Sequence, residues 1–143
     1  MKTLKQLLDA KTIKKVISVS PEATVYDALE VLAEYKIGAL AIMDHDKLVG
    51  IFSERDYARE IALKGRSSKT TIIRDVMTSK LITAKPDDLV DMAMQMISEK
   101  RIRHIPVMDG NTLLGILSIG DLVKETIEYQ ADLIKQLERY ITG

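Results

Sequence analysis

Residues 50–56 read GIFSERD, and residues 115–121 read GILSIGD. The two segments lie 65 positions apart, and the same offset holds without a gap across residues 21–56 and 86–121. A gapless self-alignment of this length is not explained by amino-acid composition alone. The chain therefore contains one structural unit repeated twice. Further identical pairs at this offset are Pro21 and Pro86, Val25 and Val90, Ala28 and Ala93, Glu34 and Glu99, Met43 and Met108, and Asp44 and Asp109.

Each copy predicts the same order of elements. A short apolar strand, VISV at 16–19 and LITA at 81–84, precedes a proline turn and a helix with apolar residues at i, i+3, i+4 and i+7. Two β runs then predict a hairpin, and a second helix begins at Ser53 and at Ser118. We therefore predict an α/β fold of two β-α-β-β-α repeats, packed sheet to sheet about a pseudo-two-fold axis, with a long C-terminal helix.

The predicted organisation has three parts. Residues 1–14 form an N-terminal helix and lead-in, 15–66 the first repeat, and 67–143 the linker, the second repeat and the C-terminal helix. The polar run GRSSKTT at 65–71 is the linker, and it spans the boundary between the second and third parts. Apolar residues on the N-terminal helix and along the C-terminal helix favour a homodimer, although the same faces could instead cover the chain's own core.

Composition excludes several classes of function. The 21 Lys and Arg balance the 21 Asp and Glu, which argues against a nucleic-acid or membrane partner. The absence of cysteine excludes disulfides, thiolate zinc sites and a cysteine nucleophile. The sequence has no glycine-rich phosphate loop and no nucleophile-elbow motif, so we expect no catalysis and no metal. The lack of an apolar segment long enough to span a membrane favours the cytoplasm.

The repeated Ser-x-x-Asp has two interpretations. The first interpretation is a capping box, formed by Ser53 with Asp56 and by Ser118 with Asp121. In a capping box the two side chains accept hydrogen bonds from free backbone amides at the start of a helix. Alternatively, the hydroxyl and carboxylate face a cleft and bind a ribose diol, while the helix N-terminus attracts phosphate. The two interpretations are compatible.

The repeat that closes with Gly-x-x-Ser-x-x-Asp resembles a tandem cystathionine-β-synthase (CBS) domain pair, or Bateman module, of the stand-alone bacterial type. The resemblance spans about residues 15–125. It also includes DVMT at 75–78, KIGAL at 36–40, RIRHIP at 101–106 and SERDY at 53–57. It implies a regulatory module that senses an adenine nucleotide, AMP, ATP or NAD, and passes the signal to an unknown effector protein.

The resemblance also implies a site in each of two clefts between the repeats. The two Ser and Asp pairs hold ribose, backbone groups after each first helix read adenine, and cations bind phosphate. Arg59 is a further phosphate candidate, and His104 is either structural or in contact with ligand. The predicted nucleotide-binding residues are Ser18, Lys36, Ile37, Gly38, Ala39, Leu40, Ser53, Arg55, Asp56, Thr83, Ile102, Arg103, His104, Ile105, Pro106, Ser118 and Asp121.

The two copies differ in charge. Arg55 corresponds to Gly120, and Arg103 with His104 corresponds to Gly38 with Ala39. We therefore expect two unequal clefts rather than two equal ones. The competing function is a structural dimerisation or scaffold module whose nucleotide sites are vestigial.

Overall fold

A computed structural model describes residues 1–11 and 15–142. It contains five α-helices and five strands within these residues, together with one π-helix and one 3₁₀-helix. The helices are α1 Leu4–Asp9, α2 Val25–Tyr35, α3 Glu54–Asp56, α4 Val90–Lys100 and α5 Ile119–Thr142, with the π-helix at Tyr57–Ala62 and the 3₁₀-helix at Ile73–Asp75. The strands are β1 Ser18–Val19, β2 Ala39–Asp44, β3 Lys47–Ser53, β4 His104–Asp109 and β5 Thr112–Ser118.

The predicted α/β fold of two repeats is confirmed. Both hairpins form, with two-residue turns between β2 and β3 and between β4 and β5. Each antiparallel pair has a register shift at the corresponding place, after Ile42 and after Val107. The two sheets contact each other through β3 and β5.

The first strand of each repeat is shorter than predicted. VISV forms a strand only at β1, which pairs in parallel with β2. LITA forms no strand, and only its last residue, Ala84, pairs with another strand residue, through an isolated bridge to Val107. The chain then turns away, since the Lys85 amide donates to Asp88 Oδ2 and Pro86 has no amide hydrogen to offer a ladder.

Each repeat packs against the segment that precedes the other repeat. We call these segments lead-ins; the first contains Leu4 and the second contains Ile73. The amide of Leu4 donates to the carbonyl of Asp88 at 2.9 Å, and the amide of Ile73 donates to the carbonyl of Ala23 at 2.8 Å. Leu4 and Ile73 are both fully buried, which contributes about 2 kcal/mol each to folding. Two hydrophobic cores therefore form, and each one is completed by a segment from the other half of the chain.

This packing of each lead-in on the other repeat corrects one expectation about the N-terminal helix. Its leucines Leu4 and Leu7 lie in the core of the second repeat, with exposures of 0% and 8%. The side chain of Leu8 packs on Gly115 of β5. The apolar face of α1 is thus used within the chain, and its assignment to a dimer contact is wrong.

Candidate functional site

The capping interpretation of Ser-x-x-Asp is confirmed in both repeats. The amide of Asp56 donates to Ser53 Oγ at 3.2 Å, and the amide of Ser53 donates back to Asp56 Oδ2 at 2.9 Å. The corresponding distances for Ser118 and Asp121 are 3.1 and 2.8 Å. These reciprocal bonds hold each Ser and Asp side chain in one orientation at a strand-to-helix junction.

Capping occupies only part of each carboxylate. It engages Oδ2 in both repeats, and Oδ1 of Asp56 accepts a further bond from Thr78 Oγ1 at 3.2 Å. Oδ2 of Asp121 also contacts the ammonium of Lys11 at 3.1 Å. Within the part of the chain that the structure describes, no protein donor reaches Oδ1 of Asp121, so this oxygen can accept from a ligand.

The larger cavity, cleft 1, has a volume of about 660 Å³. It brings Ser118 and Asp121 of the second repeat together with the 36–39 segment of the first. This volume lies in the range typical of small-molecule sites. Its remaining walls are Lys2, Lys5, Leu7, Leu8, Asp9, Ala10, Lys11, Lys15, Val16, Ile17, Tyr35, His104, Leu114, Gly115, Ile116, Lys124, Glu125 and Glu128.

The smaller cavity, cleft 2, has a volume of about 160 Å³ and the reverse composition. It brings Ser53 and Asp56 of the first repeat together with the 102–104 segment of the second. Arg55 and Arg59, the phosphate candidates, also line it, and their contact with phosphate stays a prediction. Its remaining walls are Ile51, Thr78, Lys80, Leu81, Ile82 and Arg101.

The structure does not bring every predicted residue to a cleft wall. Leu40, Ile105 and Pro106 are buried within β2 and β4. Ser18 and Thr83 are exposed, and their neighbours Ile17 and Ile82 line the clefts instead. A role for the backbone of these five residues stays a prediction.

His104 lines both clefts and has no equivalent imidazole in the first repeat, where Ala39 stands. Burial lowers the pKa of His104 below its ordinary value of 6.5, and the cations of Lys11 and Arg103 act in the same direction. Asp121 and Glu54 oppose this shift but do not cancel it. The ring is therefore neutral at pH 7 and sits between the two cavities.

The pKa of Asp121 lies below its ordinary value of 3.8, although burial alone would raise it. The Ser118 amide and the Lys11 ammonium outweigh burial because both stabilise the charged form. Asp121 is therefore ionised at neutral pH. An ionised carboxylate can accept hydrogen bonds from both hydroxyls of a diol.

Comparison with known proteins decides the family. A sequence model of the CBS domain matches residues 7–63 and 73–128. The chain belongs to the CBS domain family. The recognition made from the repeated motif is thus confirmed, and the chain is a CBS pair with both domains within one compact unit.

Relatives of this CBS pair include a mitochondrial CBS domain-containing protein of Arabidopsis thaliana, 42% identical over 84% of this chain and 61% of the relative. A solved protein with CBS domains from Burkholderia ambifaria is 43% identical, with a TM-score of 0.85, covering 89% of this chain and 95% of that one. Another solved CBS pair is in complex with 5′-methylthioadenosine and S-adenosyl-L-methionine. It is 27% identical, with a TM-score of 0.79, covering 90% of this chain and 98% of that one.

Several wall residues of the CBS pair were not predicted from the sequence. Lys11 and Thr78 contact the carboxylates of Asp121 and Asp56. Glu125, with its side chain 7% exposed, pairs with Lys2 at 3.4 Å in cleft 1. A signal for these residues is nevertheless present in the sequence. The segments that precede the two repeats match each other at an offset of 69 rather than 65. It relates Leu4 to Ile73, Leu7 to Val76, Leu8 to Met77 and Lys11 to Lys80.

The described helices include none that could cross a membrane. Among residues 1–11 and 15–142, no group of three or more acidic or histidine side chains is placed to hold a metal ion.

Proposed function

We propose that this CBS pair is a non-catalytic regulatory module that binds an adenine nucleotide, AMP, ATP or NAD, in the clefts between its repeats. The observation that carries this proposal is the crossed composition of both clefts. In each one, an oriented Ser and Asp from one repeat faces the segment after the first helix of the other. A ligand bound there contacts both repeats, so its binding can change how the repeats sit against each other.

Cleft 1 supports the proposal by its size and its chemistry. Asp121 offers Oδ1 to a ribose, and Ile17 and Ile37 provide apolar surface for a base. The lysines at 15, 36 and 124 supply positive charge for phosphate. The solved neighbour with two bound adenosine derivatives has this fold, which supports the same class of ligand here.

The competing proposal is a structural module with vestigial sites, and the complete capping boxes favour it. The chain offers a matched control that separates the two. Thr24 and Asp27 form a third box of the same type at α2, with both bonds at 3.1 Å, and neither residue lines a cleft. Removal of a capping side chain costs about 1 kcal/mol.

The test compares Asp121→Ala, Asp56→Ala and Asp27→Ala. We expect all three to lower the free energy of unfolding by about 1 kcal/mol in urea titrations. Only Asp121→Ala and Asp56→Ala should abolish nucleotide binding, each in one cleft, as measured by calorimetry. If all three variants bind as the wild type does, the carboxylates act only as caps and the structural alternative stands.

We also propose that the working form is a cytoplasmic homodimer. Helix α5 continues well past the second repeat, and its apolar stripe is exposed, with Ile127 60%, Ile134 55% and Leu137 61% accessible. Exposed apolar stripes of this kind are typical of contact surfaces. Sedimentation equilibrium should give a dimer for the wild type and for Lys135→Glu, and a monomer for Ile134→Glu with Leu137→Glu. A wild type that is monomeric at all concentrations would contradict this.

A further inference from the structure

The two clefts differ most in their cations. At the offset of 65, Arg55 of cleft 2 corresponds to Gly120, and Arg103 corresponds to Gly38 of cleft 1. Two further arginines of cleft 2, Arg59 and Arg101, correspond to the lysines 124 and 36 of cleft 1. Four guanidinium groups thus line the smaller cavity and none lines the larger one.

The cations of cleft 2 are not neutralised by the protein. In the described residues, no carboxylate lies within salt-bridge distance of Arg55, Arg59, Arg101 or Arg103, and none pairs with Lys80. The single carboxylate on the cleft wall, Asp56, is engaged by Ser53 and Thr78. In cleft 1, Lys2, Lys5 and Lys11 are paired with Glu125, Asp9 and Asp121, and the cations without such a partner among the described residues are the lysines 15, 36 and 124 rather than guanidinium groups.

One of these arginines is held in a strained backbone conformation. Arg101 ends α4 with φ +54°, in the left-handed region where glycine is usual at this position of a helix. A non-glycine residue there costs stability. Lys36, which corresponds to Arg101 and lines cleft 1, ends α2 with the same φ of +54°, so both clefts carry a cation at a helix end where the backbone favours glycine.

We propose that cleft 2 selects adenine nucleotides by the number of their phosphates and takes a di- or triphosphate. This inference rests on the proposed function and assigns a ligand class to one of its two sites. One guanidinium group can donate two parallel hydrogen bonds to the oxygens of a phosphate. A cluster of four such groups, from the two segments 55–59 and 101–103, therefore fits a chain of phosphates better than a single phosphate. Arg55, Arg101 and Arg103 are the residues that set the preference.

The test measures cleft 2 alone, by calorimetry in the Asp121→Asn background with EDTA. ATP should bind at least about tenfold more tightly than AMP, a difference that one charge-assisted hydrogen bond can supply. Arg101→Gly should reduce this preference to below about threefold and at the same time raise Tm by about 3 °C, because the backbone strain is relieved. A purely structural arginine would not lower phosphate preference while raising stability.

The matched control is His45→Gly. His45 has φ +56°, and its side chain is 96% exposed in the β2–β3 turn, away from both clefts. This variant should also raise Tm and should keep the ATP preference of the parent. Equal affinity of cleft 2 for ATP and AMP, or an unchanged preference in Arg101→Gly combined with Arg103→Gly, overturns the inference but leaves the proposed function intact. If the wild type binds no adenine nucleotide at all, the proposed function fails, and the inference fails with it.

Discussion

The ammonium nitrogen of Lys11 lies 3.1 Å from Oδ2 of Asp121. The same nitrogen donates to the carbonyl oxygen of Ile116 at 3.1 Å. Lys11 follows α1, whose leucines complete the core of the second repeat. The lead-in therefore does two things: it closes a hydrophobic core, and it supplies the cation that holds the carboxylate of cleft 1 in its charged form.

We predict that Lys11→Met raises the pKa of Asp121 toward its ordinary value. Because that pKa is depressed in the folded state, the ion pair contributes stability above pH about 4 and loses it as the pH falls further. The variant should lower the free energy of unfolding at pH 7 by about 0.5–1 kcal/mol and have no effect in strong acid. Urea titrations at both pH values, with carbon NMR of the Asp121 carboxyl, measure this. Lys5→Met, which removes an exposed pair with Asp9, is the control and should leave that pKa unchanged.

We predict that His104 makes the fold sensitive to mild acid. Its folded pKa is depressed, so the neutral ring contributes stability above 6.5, and that contribution is lost as the pH falls below this value. The free energy of unfolding should decrease between about pH 7.5 and about pH 5.5 in the wild type, and much less in His104→Gln. His45→Gln should behave as the wild type, because that ring is exposed to solvent. An equal decrease in His104→Gln would assign the acid sensitivity to other groups.

We predict that His104 takes up a proton when a ligand binds. A phosphate in either cleft would stabilise the charged imidazole and raise the pKa of His104. Calorimetric titrations in two buffers with different ionisation enthalpies should give different apparent enthalpies at neutral pH. The difference should decrease in His104→Gln, in which the ring contributes no proton.

We predict that two corresponding glycines tolerate a methyl group unequally. A Cβ on Gly50 would lie 2.5 Å from Met77 Sδ and 3.1 Å from the carbonyl oxygen of Thr78, which the Ile51 amide holds in place. A Cβ on Gly115 would meet only the end of the Leu8 side chain, at 2.8 Å. Gly50→Ala should therefore cost about 2–3 kcal/mol and Gly115→Ala about 1 kcal/mol in urea titrations. The reverse order would mean that the lead-ins do not pack as described.

The sequence predicts much of this architecture because the repeat carries its own local signals. The apolar spacing on α2 and α4, the two hairpins and both capping boxes are local features, and all of them form. Of the residues expected from the family resemblance, the two Ser–Asp pairs, Arg55 and the segments 36–39 and 102–104 line the clefts, whereas the side chains of Ser18, Leu40, Thr83, Ile105 and Pro106 do not. Their part in ligand binding stays a prediction. These features depend on residues only a few positions apart, so a short stretch of sequence is enough to predict them.

The features that the sequence did not predict depend on distant contacts. The exchange of lead-ins relates Leu4 to Asp88 and Ile73 to Ala23, and its offset of 69 differs from the 65 of the repeat. LITA has the composition of a strand, but the turn at Lys85 leaves only Ala84 to pair. The π-helix at 57–62 likewise has no counterpart in α5, although both follow the same motif.

The central claim is that an adenine nucleotide binds between the two repeats. Titration calorimetry of the whole chain with AMP, ATP and NAD tests it most directly, with Asp56→Ala combined with Asp121→Ala as the negative control and Asp27→Ala as the stability-matched control. We expect saturable binding of at least one of the three by the wild type and by Asp27→Ala, and none by the double variant. No binding of any of them at millimolar concentration, or equal binding by the double variant, would contradict the account.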